Sequence, residues 1–286
     1  MTFQVLLFYK YVHIDDPHTV MLWQRELCTR LDLKGRLIIA HEGLNFTLEG
    51  TTENTRAYMK EINKHPLFKD IHYKISEGTG TAFPKLSVKV RDEIVSAHLG
   101  NDIDPNRVTG KHMTAEELHE LINSGKEFYI VDMRNDYEHK SGHFKDSILA
   151  PIGNFRELPK VLEQISHLKD KTVVTVCTGG VRCEKASGFL VENGFTNVYQ
   201  LYGGIVSYME KYPNQDYLGK LYVFDGRLVM GFHTDAPAHQ VIGKCEFCGK
   251  PSENYINCAN ITCHKHVIVC PDCFVDGVGY CPDCRP

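Results

Sequence analysis

The first ninety residues alternate between two apolar periods. Val5–Val12 is a compact apolar run of the kind a buried strand makes, and Thr19–Leu31 sets Val20, Trp23, Leu27 and Leu31 on one helical stripe. Arg36–Ala40 and Leu44–Leu48 read as paired strands, the second with Leu44, Phe46 and Leu48 on one face. Thr55–Lys64 predicts a second helix, Ile71–Ser76 a further strand, and Leu86–Val90 alternates once more. The order β-α-β-β-α-β over residues 1–100 predicts a ferredoxin-like (acylphosphatase-like) α+β domain, with helices on one face of an antiparallel sheet.

A polar stretch, Asn101–Gly110, carries Asp102, Asp104, Pro105, Asn106 and Gly110 and reads as a boundary. Beyond it the period changes again. Thr114 with Glu117 three residues on is a capping box that opens a helix. Phe128–Val131, Thr172–Val176 and Asn197–Leu201 read as strands, Gln164–Leu168 as part of a helix, and Lys185–Asn193 as a helix stopped by Gly194. Strands alternating with helices over residues 111–213 predict an α/β domain built on a parallel sheet, whose ligands sit at the carboxyl ends of strands. Residues 214–286 form a C-terminal extension. Leu221–Phe224 and Arg227–Gly231 pair as a hairpin across Asp225–Gly226, and a cysteine-rich module fills 244–286.

Composition narrows the picture in two places. Across 286 residues the formal net charge is −4, so any anionic partner must be met by a local basic patch. Arg25, Arg30, Lys34 and Arg36 form one such set. Lys85, Lys89 and Arg91 form another, sharing one strand face opposite Leu86, Val88 and Val90. No apolar run reaches the roughly 18 residues that span a bilayer. Val5–Phe8 lacks the basic flank and cleavage site of a signal peptide, and a cytoplasmic protein without membrane association is expected.

Of the 11 cysteines, Cys28 stands alone, Cys177 and Cys183 flank one loop, and eight lie between Cys245 and Cys284. The loop reads Cys177-Thr178-Gly179-Gly180-Val181-Arg182, set between a strand and a helix that begins near Cys183. Thiolate is the reactive form of cysteine, favoured near a helix N-terminus or a cation. Gly179 and Gly180 allow φ > 0 without steric cost, so successive amides can turn inward as an anion-binding nest. Arg182 can close that loop on its backbone or on a bound anion. Such parts suit an anionic sulfur species, for instance a persulfide on Cys177. Cys183 either resolves a persulfide or packs in the first helical turn, and packing is the commoner role for a cysteine there.

The tail reads Cys245-x2-Cys248, Cys258-x4-Cys263, Cys270-x2-Cys273 and Cys281-x2-Cys284. Close thiol pairs in a chain without a secretory signal point to structural Zn²⁺ before disulfides, and eight thiolates fill two closed tetrahedral sites. About 40 residues bury little core, so metal is the natural source of their folding energy. The pairs either interleave, first with third and second with fourth, or follow sequentially.

Asp132-Met-Arg134, Glu138, Gly142-His143, the loop Cys177–Arg182 and the closing stretch Gly194–Gly204 resemble the rhodanese pattern. By that resemblance Cys177 is the nucleophile, Thr178 to Arg182 form its cradle, and Asp132, Arg134 and Glu138 brace the fold. Dual-specificity phosphatases have one more residue between cysteine and arginine, so the loop length favours sulfur over phosphate. With His41–Asn45, Ala82–Arg91 and the cysteine-rich tail in the same order, the whole chain resembles the bacterial rhodanese-domain, oxygen-dependent tRNA uridine hydroxylases. This resemblance implies conversion of a wobble uridine to 5-hydroxyuridine, molecular oxygen as co-substrate, and the anticodon region of tRNA as partner. No G-x-G-x-x-G opens a helix, so no NAD or flavin site is expected, and no two-His, one-carboxylate iron set emerges from the 15 histidines. Two other classes fit parts of the chain. One is a sulfurtransferase moving persulfide sulfur from Cys177 to an acceptor, served by a sulfur-donor protein. The other is a noncatalytic RNA- or protein-binding module.

Overall fold

The computed structural model describes residues 2–99, 103–274 and 279–285, so Asn101 and Asp102 of the polar boundary lie outside the described residues. The chain divides into two compact units, Met1–Gly110 with Val181–Asn193, and Lys111–Gly180 with Gly194–Pro286.

The first unit opens with β1 (Phe3–Tyr11), α1 (Pro17–Arg30), β2 (Lys34–Ala40), β3 (Gly43–Thr51), α2 (Thr52–Ile62), β4 (Lys74–Gly78) and β5 (Leu86–Val90). Asp16 starts α1 by accepting hydrogen bonds from the amides of His18 and Thr19, with Pro17 supplying the fixed φ of the first helical position. The expected β-α-β-β-α-β order is present. The sheet runs β4-β1-β3-β2-β5, antiparallel except that β5 lies parallel to β2. It is therefore mixed rather than wholly antiparallel. The expected strand Ile71–Ser76 starts later, at Lys74. Asp70 turns the chain with φ +64°, and Ile71 drops into the core before the ladder begins.

Period two then decides the core. Leu6, Phe8, Leu37, Ile39, Leu44, Phe46, Leu48 and Val88 share one face and bury against Val20, Leu27 and Cys28 of α1 and Tyr58 and Ile62 of α2. Truncating any of these large side chains, Leu37→Ala for example, costs about 2–5 kcal/mol, because the lost transfer energy adds to the cavity left behind.

The second unit contains β6 (Lys111–Met113), α3 (Ala115–Asn123), β7 (Tyr129–Asp132), α4 (Asp136–His139), β8 (Gly142–Phe144), β9 (Ile148–Leu149), α5 (Leu158–Ile165) and β10 (Thr172–Val176). The capping box at Thr114 and Glu117 forms as expected. The next helix in the chain, α6 (Val181–Glu192), is grouped with the first unit. It begins four residues before the expected Lys185. Its first turn buries Arg182, Glu184 and Lys185 beside Cys183, so it shows no apolar stripe to read.

After α6 the second unit resumes with β11 (Asn197–Leu201), α7 (Gly204–Lys211), β12 (Tyr217–Gly219), β13 (Leu221–Tyr222), β14 (Val229–Met230), β15 (Tyr255–Asn257) and β16 (His266–Ile268). Its main sheet has the order β6-β11-β10-β7-β9, with every neighbouring pair parallel. The three inner strands are those the sequence predicts; β6 and β9 are only 3 and 2 residues long, too short to carry a period. The hairpin is shorter than its sequence pattern, pairing only Leu221 with Met230 and Tyr222 with Val229. Its tip is wider because the Asp225 carboxylate accepts both the amide and the guanidinium of Arg227.

Candidate functional site

β10 delivers Cys177 at the carboxyl end of the parallel sheet, the expected place for a ligand site in this architecture. The side chain is buried, and the amide of Gly180 donates to its Sγ across 3.2 Å. Gly180 takes φ +99°, a left-handed conformation that costs glycine nothing and aims its amide back at the sulfur. The start of α7 supports the loop from behind. Ile205 donates its amide to the Cys177 carbonyl at 2.9 Å, and Val206 to the Thr178 carbonyl at 3.1 Å. That approach needs two more glycines. Gly203 and Gly204 take φ +78° and +70°, and a Cβ on Gly204 would lie 2.6 Å from Gly179 C and Gly180 N and 2.7 Å from the Cys177 carbonyl oxygen.

Thr178 and Arg182 are buried too. Val181 and Arg182 stand in the first turn of α6 rather than in an open loop, and Cys183 follows them, fully buried. An amide hydrogen bond to sulfur favours the anionic form of the acceptor, as charge-assisted bonds generally do.

Asp132 ends β7 directly beside Val176, one residue before Cys177. Its carboxylate accepts from Nε and Nη2 of Arg134 at 2.9 and 2.6 Å, in a forked pair with both side chains fully buried. Arg134 spends its other donors on the carbonyls of Glu138 and Gly142 and the hydroxyl of Tyr217. Burial pushes the Asp132 carboxyl up, but the charge and hydrogen bonds of Arg134 outweigh it and hold the group below the usual carboxylate range. Glu138 closes a small capping box by accepting the amide of Asn135 at 2.9 Å. These three residues thus pin the β7–α4–β8 connection.

Sequence reasoning missed the residues that hold α6 within the first unit. Lys185 is 3% exposed, with Nζ 2.9 Å from a Glu42 carboxylate oxygen and 3.6 Å from one of Glu93. Both carboxylates also accept backbone amides, Glu42 from Ile94 and Glu93 from Ala97 and His98. Burial raises the Glu42 carboxyl above its ordinary range, against the pull of Lys185. Glu184 accepts from the hydroxyls of Tyr9 and Thr109, Ser187 from the amide of Gly110, and the Tyr11 hydroxyl donates to the Val181 carbonyl. Partners so far apart in sequence leave no spacing signal; Glu42 was visible only as part of the run His41–Asn45.

In the tail the interleaved pairing is present. Cys245, Cys248, Cys270 and Cys273 bring their sulfurs within 4.8 Å of one another, as do Cys258, Cys263, Cys281 and Cys284. All eight are free thiols. Cys248 and Cys270 lie 3.6 Å apart, Cys263 and Cys281 3.7 Å. A tetrahedron with metal–sulfur bonds of about 2.3 Å has edges of roughly 3.8 Å, so both sets fit a tetrahedral thiophilic ion. Burial pushes the Cys245 thiol up, yet the amides of Cys270, Cys248 and Phe247 outweigh it and bring it down to about 6. Amide hydrogen bonds led by that of Cys281 bring Cys258 to about 7. Those two thiols favour the thiolate form, whereas the neighbouring Cys248 sulfur pushes Cys273 of the first set up to about 12, so the shifts divide between the members of a set. With four thiolates each, the two sets leave no open position for chemistry.

Residues 114–211 match the rhodanese-like domain, residues 218–285 the rhodanese C-terminal domain, and residues 3–94 the UPF0176 acylphosphatase-like domain. The fold and the cysteine loop are those of a rhodanese-domain protein. A protein of Bacillus licheniformis described as tRNA uridine(34) hydroxylase is 45% identical over 93% of this chain and 83% of its own length. Proteins of the same description from Cytophaga hutchinsonii and Staphylococcus carnosus are 40% and 44% identical, over 99% and 94% of this chain and 91% and 85% of their own. This chain belongs to the tRNA uridine(34) hydroxylase family. Among the described residues, no helix is long and apolar enough to cross a membrane.

Proposed function

We propose that this protein hydroxylates uridine 34, the wobble position of tRNA, to 5-hydroxyuridine, with Cys177 supplying the reactive sulfur. Family membership along the whole chain supports the reaction, and the hydrogen bond from Gly180 to the Cys177 sulfur carries the assignment of the residue. Molecular oxygen is the co-substrate: one atom enters the ring, and the Cys177 sulfur gives up the electron pair that reduces the other. Cys177, as a persulfide or another oxidised sulfur species, takes part in delivering oxygen to the pyrimidine ring. Thr178, Gly179, Gly180, Val181 and Arg182 hold that sulfur; Asp132, Arg134 and Glu138 keep the strand ends in place. The two four-cysteine sets hold Zn²⁺, which stabilises the tail and takes no part in the reaction. The protein works in the cytoplasm, where its tRNA substrate is found, and a sulfur-donor protein loads Cys177.

Mass spectrometry of nucleosides from tRNA incubated with oxygen and either the parent protein or Cys177→Ala is the direct test. We expect 5-hydroxyuridine only with the parent. Undiminished product from Cys177→Ala removes that sulfur from the mechanism. Thiosulfate-to-cyanide transfer by the parent with unmodified tRNA would instead mark a sulfurtransferase.

A further inference from the structure

We propose that the β2–β5 edge of the first unit's sheet, on the side away from α1 and α2, grips the phosphodiester backbone of RNA through Lys34, Arg36, Lys85, Lys89 and Arg91. Register brings these residues together from two separate stretches of sequence. Arg36 stands opposite Ser87, and Ile38 opposite Lys89, in the parallel pairing of β2 with β5. Leu37, Ile39 and Val88 are buried on the helix-covered face, so alternation turns Arg36, Ile38, Ser87 and Lys89 to the other side. Lys34 and Lys85 extend that row by one step at one end and Arg91 at the other. Along each strand the spacing is about 6.6 Å, and between strands about 4.8 Å.

All five cations are exposed, and among the described residues none is in an ion pair. Glu49, the acid that the strands themselves place on this face, is 3% exposed, and its oxygens accept the amides of Thr79, Gly80 and Ala82. The positive charge is therefore left to an outside partner, in a chain whose net charge is −4. Arg25 and Arg30, which the sequence groups with Lys34 and Arg36, lie on α1 across the sheet, and Arg25 donates to the Val88 carbonyl at the sheet edge and to the Met21 sulfur. Between the five cations stand Ser87, Thr47 and Ile38, so this edge offers charge and small side chains rather than rings for stacking bases. Such a surface positions a polyanion without reading its sequence. The inference rests on the proposed function in one respect: it takes the polyanion to be the substrate tRNA.

The test titrates fluorescent tRNA with the parent, Lys85→Ala/Lys89→Ala and Lys34→Ala/Arg36→Ala proteins between roughly 50 and 200 mM salt. Each phosphate contact contributes about 0.7–0.9 to the slope of log affinity on log salt, so each double variant should be shallower by about 1–2. Near physiological salt its Kd should rise on the order of tenfold, with KM for tRNA raised, kcat kept and thermal stability unchanged. Parent-like Kd and slope in both variants would overturn the inference and leave the hydroxylase reading intact. Binding to vesicles rich in phosphatidylserine, with none to tRNA, would overturn it as well. Should the parent bind tRNA through these residues yet form no 5-hydroxyuridine, the face stands and the hydroxylase reading falls.

Discussion

The amide of Gly180 points at the sulfur of Cys177 from 3.2 Å, and the backbone of Gly204 presses on the same loop from behind. The loop conformation is thus set by main chain packed directly on main chain, with no room for a side chain at the contact. Gly204→Ala should push the loop out of place and cut hydroxylation by at least tenfold, with far-UV circular dichroism preserved. An active Gly204→Ala protein would show that the loop position does not matter.

Gly180→Ala tests the same geometry from inside. A φ of +99° costs a non-glycine residue about 1–3 kcal/mol and rotates the amide away from the sulfur. The expected outcome is slower alkylation of Cys177 by iodoacetamide at neutral pH, followed by peptide mass spectrometry. Equal rates in variant and parent would argue that this amide does not favour the thiolate.

Asp132→Asn leaves the buried Arg134 without its counter-charge and should cost about 3–5 kcal/mol, a fall in Tm on the order of 10 °C. The pH dependence has a definite sign. The folded Asp132 carboxyl lies below its unfolded value of about 3.9, so its stabilisation is complete above that value and is lost as pH falls through the folded pKa. Urea melts from neutral to strongly acidic pH should show the variant losing less stability than the parent on the acid side.

Lys185→Met strands two carboxylates around a buried site and should destabilise by about 3 kcal/mol, whereas Lys185→Arg restores part of the loss. Denaturant unfolding of both variants checks the order. Equal stability of Lys185→Met and the parent would show that the Glu42–Lys185–Glu93 cluster contributes nothing.

The metal sites predict stoichiometry. Elemental analysis should find about two zinc ions per chain, and Cys245→Ser and Cys258→Ser should each lose about one, because the two belong to different sets. Loss of both ions from either single variant would indicate one joint site instead of two.

Local pattern alone reached most of the elements. Apolar runs and period two exposed the strands of the first sheet and the three inner strands of the second, Thr114 and Glu117 announced their capping box, and the four cysteine pairs announced thiolate sites, because these signals lie within a few residues of each other. The loop from Cys177 was readable for the same reason: a strand, two glycines and an arginine are all local.

Tertiary structure decided what depends on residues distant in sequence. Only the fold could choose the interleaved cysteine pairing, since Cys248 meets Cys270 across 22 positions. Only the fold could start α6 at Val181, because its first turn is buried by polar contacts to Tyr9, Glu42 and Thr109 rather than by an apolar stripe. The cationic edge of β2 and β5 has the same origin: strand register, set by burying Leu37, Ile39 and Val88, joins two groups of cations that no spacing along the chain connects.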